Sequence, residues 1–248
     1  MPFTHQRLMK KSETLRFLDE IENVPGIAFS LYLPHGLTQT RINEEIGKAL
    51  RSQEVSPDLS ELVFTSKTGA VVFWGKQHKH LVLPPFPISE KQIFAEYNPD
   101  ILRSLLQQEL MIALIIIRLG SYAVGVFEGE RLLTSKNGTG LVHARHKKGG
   151  SSQRRFERHR EKQIESFFTR VCGHVRTNLE PRTSSLNHVV YGGERNTLLD
   201  FRKQCHFLGQ FDDRVMEKRL NVRNPRQSDL KDSITQIWSS QVIVWKEG

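Results

Sequence analysis

HARHKKGGSSQRRFERHREKQIESFFTRVCGHVR, residues 143–176, passes from a basic turn with a glycine pair straight into an amphipathic helix. Ten Lys or Arg stand there against three Glu, so the segment holds +7 of a formal +9, and the remaining 214 residues are almost neutral. Cations at this density beside Gly149 and Gly150 point to a loop that approaches a polyanion, with the helix as its handle. Beyond Gln153, Phe156, Ile164, Phe167, Phe168, Val171 and Val175 fall on one helical stripe suited to packing on a sheet. Arg154, Arg155, Arg158 and Arg160 occupy the opposite face and the first turns, free to meet phosphates. The amides of Ser151–Arg154 lack intrahelical acceptors and carry partial positive charge, which adds an anion site at the same place. Without a Cβ, Gly149 and Gly150 let the main chain approach a substrate closely. On charge alone, the loop reads equally as a solvated basic turn.

Outward from this segment, MIALIIIRL (111–119) is the most apolar strand of the chain, and 122–127 and 131–135 continue it as an antiparallel meander. After the helix, the pattern predicts a strand at 186–191, a helix at 194–207, a strand around 215–222 and a terminal helix from Ser228. Trp238 and Trp245 fall in that helix as core or interdomain seam. Toward the N-terminus, helices are expected at 12–23 and 38–52, a strand at 27–33, and short strands at 61–65, 70–74 and 80–83. A short helix at 100–109 follows. The fold class is therefore α/β in two domains: a smaller N-terminal α/β domain, 1–109, and a C-terminal mixed sheet with packed helices, 110–248.

Composition narrows the partners. A pI near 9.7 favours nucleic acid or an anionic surface. The longest apolar run, Met111–Ile117, is far short of the roughly 20 residues a membrane span needs, and MPFTHQRLMKK has no apolar core of a secretory signal. Two cysteines, Cys172 and Cys205, make no disulfide framework and form no CxxC pair, so a reducing, cytoplasmic setting is expected, with Cys172 as a packing residue. The pairs His143/His146 and His78/His80 lack the further ligands of a closed zinc site, so no metal is expected. No phosphate-binding GxxxxGK[ST] loop occurs, so no nucleotide or other cofactor is expected.

Lys147-Lys148-Gly149-Gly150-Ser151-Ser152-Gln153-Arg154-Arg155-Phe156-Glu157-Arg158-His159-Arg160 resembles the peptidyl-tRNA-hydrolysing middle domain of eukaryotic and archaeal class-I release factors. That family has a Gly-Gly-Gln turn, then serine, an Arg-Phe pair and a basic helix. Gly149, Gly150, Ser152, Arg155, Phe156, Arg158 and Arg160 match, whereas Ser151 stands where the family has its glutamine. Gly150-Ser151-Ser152-Gln153 is similar instead to the Gly-x-x-Gln loop of the release-factor-like proteins of ribosome quality control. These include the ankyrin-repeat and zinc-finger peptidyl-tRNA hydrolase and its bacterial, Vms-like (VLRF-type) relatives. The likeness covers residues 110–248 in element order, including the strand ending in Tyr191-Gly192-Gly193, and implies an RNase H-like layer there.

The resemblance implies a ribosome rescue factor that frees nascent chains from peptidyl-tRNA on the large ribosomal subunit, by ester hydrolysis or by cutting the tRNA CCA end. A non-catalytic rRNA- or tRNA-binding adaptor is the alternative. Ester hydrolysis needs an ordered water and donors toward a developing oxyanion. Gln153 is the candidate positioning side chain, with Gly149 shaping the turn and the Gly150 and Ser151 amides as donors. Ser151 as a covalent nucleophile lacks a base beside it. For CCA cleavage, His146 or His143 is the candidate base. RNA contact falls to Arg145, His146, Lys147, Lys148, Arg154, Arg155, Arg158 and Arg160. Neither DNA nor membrane is an expected partner.

Overall fold

The computed structural model describes residues 5–22, 26–50, 57–75, 79–143, 151–218, 220, 222 and 225–245, without the side chains of 151–153 and 245. The elements run β1 His5–Met9, α1 Lys11–Glu22, β2 Ile27–Leu33, α2 Gln39–Leu50, α3 Pro57–Thr65, β3 Ala70–Gly75, β4 Lys79–Leu83, β5 Gln92–Phe94, α4 Asp100–Gln107 and β6 Met111–Arg118. They continue with β7 Ser121–Glu128, β8 Arg131–Thr139, α5 Ser151–Leu179, β9 His188–Gly193, α6 Arg195–Gln204, α7 Gln227–Ile237 and β10 Ser240–Trp245. Two units result, Met1–Gln108 with Thr235–Gly248, and Glu109–Ile234. Both are α/β, with one sheet each.

In the first unit the sheet order is β1-β10-β4-β3-β2-β5, every neighbour antiparallel. Side chains alternate across a strand, so β3 sends Ala70 and Val72 to one apolar cluster with α2 and α3, and Val71 and Phe73 to another with α1 and α4. Burial on both faces explains why this strand reads as an unbroken apolar run.

Three expectations are corrected here. Residues 61–65 are helical: Pro57 and Asp58 open α3 in the first-turn positions each favours, and Leu59 and Val63, four apart, share its buried face. The apolar run Leu62-Val63-Phe64 is short enough to fit either structure. The helix expected from Ser228 is present as α7 but stops at Ile237. After Ile237 the chain forms β10, in register with β1 and β4 (Ile243 opposite Gln6 and Leu81), so the last strand of the proposed 110–248 domain belongs to the first sheet. Trp238 lies beyond α7, fully buried, edge-on to Phe86 at 4.6 Å with the Lys11 ammonium 4.3 Å from its ring centre. Trp245 is a strand residue opposite Lys79.

The second unit has the sheet order β8-β7-β6-β9, with β6–β7 and β7–β8 antiparallel and β6–β9 parallel. One face buries Ala113, Ile115, Ile117, Tyr122, Val124 and Val126 under α5, α6 and the 3-10 turns after it. On the other, Gly125 leaves room for Leu230 of α7. The strand expected around Val215–Val222 is reduced to two parallel bridges, Val189–Val215 and Gly192–Leu220. The cysteines are not separate packing residues. Cys172 on α5 and Cys205, which closes α6, form a disulfide with Cα atoms 5.5 Å apart. That removes the argument for a reducing compartment drawn from two unpaired thiols.

Candidate functional site

Helix α5 has 29 residues and is about 43 Å long. Its lower half is anchored, with Phe167, Phe168, Val171, Val175 and Leu179 in the core and Ile164 at the margin. The thirteen residues before Ile164 span about 20 Å and add no buried apolar residue among those described.

The chain leaving β8 climbs this helix and is tied to it. Gly140 donates its N–H to Gly120 and passes so close to α5 that a Cβ would lie 2.6 Å from the Phe167 ring. Arg170 donates to the Thr139 carbonyl at 3.0 Å. Higher up, the His143 N–H donates to Gln163 Oε1 at 3.1 Å, and the His143 carbonyl accepts from Arg160 Nε at 3.0 Å. Both main-chain polar groups of His143 are thus held by α5 side chains one turn apart. The His143 and His159 rings lie beside each other, centroids 6.3 Å apart. From this fixed point residues 144–150 lead to Ser151, where α5 begins.

Arg145, His146, Lys147, Lys148, Gly149 and Gly150 lie outside the described residues, as does His78. Ser151, Ser152 and Gln153 form the first turn of α5. Arg154, Arg155 and Arg158 are exposed and make no ion pair among the described residues, whereas Arg160 is half-buried with its Nε committed to His143. The start of α5, whose first amides have no intrahelical acceptor, and three guanidiniums without an ion pair among the described residues therefore follow directly on the 144–150 segment. Such a set holds phosphate and stabilises charge developing on oxygen.

Phe156 departs from the expected stripe: it is 60% exposed, and Leu141 on the segment leaving β8 is 74% exposed. The helix there has outrun the residues that bury its lower half, so the apolar period continues without burial. The signal was present in the sequence, since Arg160 stands where a buried stripe between Phe156 and Ile164 needs an apolar residue.

The family model for the Actinobacteria/chloroflexi VLRF1 release factor matches residues 111–243, more than half of the chain. The peptide chain release factor subunit 1 of Aeropyrum pernix is 29% identical over 202 residues, 69% of this chain and 53% of that protein. That of Archaeoglobus fulgidus is 28% identical over 173 residues, covering 66% and 42%. The chain thus spans about half the length of the curated relatives it matches. Among solved structures, an archaeal translation termination factor, aRF1, aligns at 18% identity over 93% of this chain and 73% of that one, with a TM-score of 0.42. The Vms1 mitochondrial localization core aligns at 12% over 95% and 89%, with a TM-score of 0.43.

Proposed function

The chain belongs to the Actinobacteria/chloroflexi VLRF1 release-factor family, and we propose that it is a ribosome rescue factor that frees nascent chains from peptidyl-tRNA. The observation that supports this most is the stalk: a basic seven-residue connection, 144–150, fastened on one side at His143 and continuing on the other into the exposed arginines of α5. A basic segment whose entry is tied to α5 at Arg160 and Gln163, and whose exit is a helix start about 20 Å beyond the packed core, suits entry into a confined RNA-walled cavity.

In this reading Arg145, His146, Lys147, Lys148, Arg154, Arg155 and Arg158 engage phosphates of the large subunit and the tRNA, and Arg160 holds the loop's entry. Gly149 and Gly150 let the main chain reach the ester. The Gly150 and Ser151 amides face the developing oxyanion, and the Gln153 carboxamide orients the attacking water. Water adds to the ester carbonyl, the tetrahedral oxyanion collapses, and the tRNA 3′-oxygen leaves with a proton. None of these groups needs a shifted pKa.

The test is to incubate full-length protein with large subunits carrying a stalled peptidyl-tRNA, follow free peptide, and map the tRNA 3′ end. Free peptide with an intact CCA end is expected. A shortened tRNA would replace hydrolysis by nuclease action, with His143 or His146 as base. Stable binding without turnover would leave the adaptor reading, which Ser151 at the family's glutamine position favours.

A further inference from the structure

Helix α5 carries a second surface away from the loop. Glu157, Glu161 and Glu165 recur at i, i+4 and i+8, so the acids of its exposed half share one flank. Ser166, Arg170, Gly173, His174 and Thr177 recur at i, i+4, i+7, i+8 and i+11 and form another stripe, on which no residue is acidic and none is a large apolar one. Lys136 of β8 borders that stripe. It lies opposite Val124, so its side chain stands on the sheet face that α5 covers, and it is exposed.

Arg170 and the His174 ring are both held in place. Arg170 is fixed by the Thr139 carbonyl and lies over the Phe167 ring. The His174 ring stacks on Tyr122, centroids 5.6 Å apart and planes within 14°. Burial and then the nearby charges of Lys136 and Arg170 push the His174 pKa down, and no carboxylate opposes them. Two cations, Lys136 and Arg170, thus converge on an imidazole whose neutral form they favour, and neither makes an ion pair among the described residues.

Gly173 is a separate observation. A glycine inside a helix costs about 1 kcal/mol against alanine, yet a Cβ there would meet nothing within 4 Å. No packing among the described residues calls for it. A glycine exposed between an arginine and a histidine fits a site where something outside the chain comes close to the helix backbone.

We propose that Lys136, Arg170, Gly173 and His174 form a phosphate-binding surface for the backbone of base-paired RNA. A single strand would want aromatic platforms, and both rings at this site, Tyr122 and Phe167, are 2% exposed. A smooth helix surface of small side chains flanked by Arg170 and Lys136 suits the backbone of a stem, where contact is by phosphate and shape. The surface binds whether or not the loop is catalytic.

The test uses full-length protein and a labelled RNA duplex of two helical turns, with affinity measured against KCl concentration. Lys136→Gln is expected to lower the slope of log affinity on log salt by about one, and Lys136→Arg to restore it. Gly173→Leu is expected to weaken binding about tenfold with the slope unchanged and no loss of thermal stability. Arg131→Gln, on the same strand but paired with Glu128, is the control and should bind as wild type. Wild-type slopes for Lys136→Gln and wild-type affinity for Gly173→Leu would overturn the proposal. An equal fall in slope for Arg131→Gln would reduce the effect to net charge and overturn it as well. So would capture of polyglutamate in preference to the duplex.

Discussion

Arg160 Nε donates to the carbonyl of His143 at 3.0 Å, and through that bond the last described residue before the basic segment is fastened to the helix that follows it. Gln163 secures the same residue from its amide side. A net hydrogen bond contributes about 1 kcal/mol. Gln163→Ala should therefore speed hydrogen exchange of the His143 amide about fivefold, read by NMR, while the thermal midpoint stays near wild type. Unchanged exchange would mean that the stalk is not held at this point.

Gly140 sits where β8 meets α5, and its missing side chain is a steric requirement. Gly140→Ala places a methyl 2.6 Å from Phe167 Cδ2, and that ring is 2% exposed and packed in the core. Overpacking of this kind costs about 1–3 kcal/mol. Urea unfolding should show that loss. A variant as stable as wild type would contradict the packing described.

The Cys172–Cys205 disulfide closes a sequence separation of 33 residues across α5 and α6. Restricting the unfolded chain over such a loop contributes about 3–4 kcal/mol in the chain-entropy view. Cys205→Ala, or prior reduction, should lower stability by that order in denaturant titration. The unreduced, denatured protein should take up no iodoacetamide. Alkylation of both cysteines without a reductant would contradict the bond.

In the first unit, Glu45 is buried with Lys91 and Arg41 each at 2.8 Å and Lys48 at 3.8 Å. The Lys91 hydrogen bond is the largest cause holding its carboxyl below the ordinary value of 4.5. A depressed folded pKa stabilises the protein above the unfolded value, and that stabilisation disappears as pH falls through the folded value. Glu45→Gln should therefore be less stable than wild type at neutral pH and should flatten the acid limb of the stability curve. Parallel acid limbs for the two proteins would contradict the ion cluster.

Local pattern carried much of this structure and stopped where distant residues decide. The unbroken apolar runs of β6 and β3 could be read directly, because burial on two faces leaves its mark along the strand itself. The arginines of α5 were equally visible, since nothing apolar interrupts 157–163. β10 was not. Its place depends on Leu81 and Gln6, which lie far away in sequence, and the seven-residue spacing of Trp238 and Trp245 imitated a helix. The disulfide was hidden for the same reason, because only the packing of α6 on α5 brings Cys205 to Cys172. Phe156 satisfied the helical period and still points outward, because a period says nothing about where the core beneath it ends.

The most direct measurement is the single-turnover rate of peptide release from a stalled large-subunit complex by wild type and by Gln153→Ala, with binding to the complex followed in the same samples. The account predicts a fall of about a hundredfold in rate, the scale for losing one polar group that acts on the transition state, with binding retained. Release by Gln153→Ala at the wild-type rate would show that this carboxamide takes no part in breaking the ester.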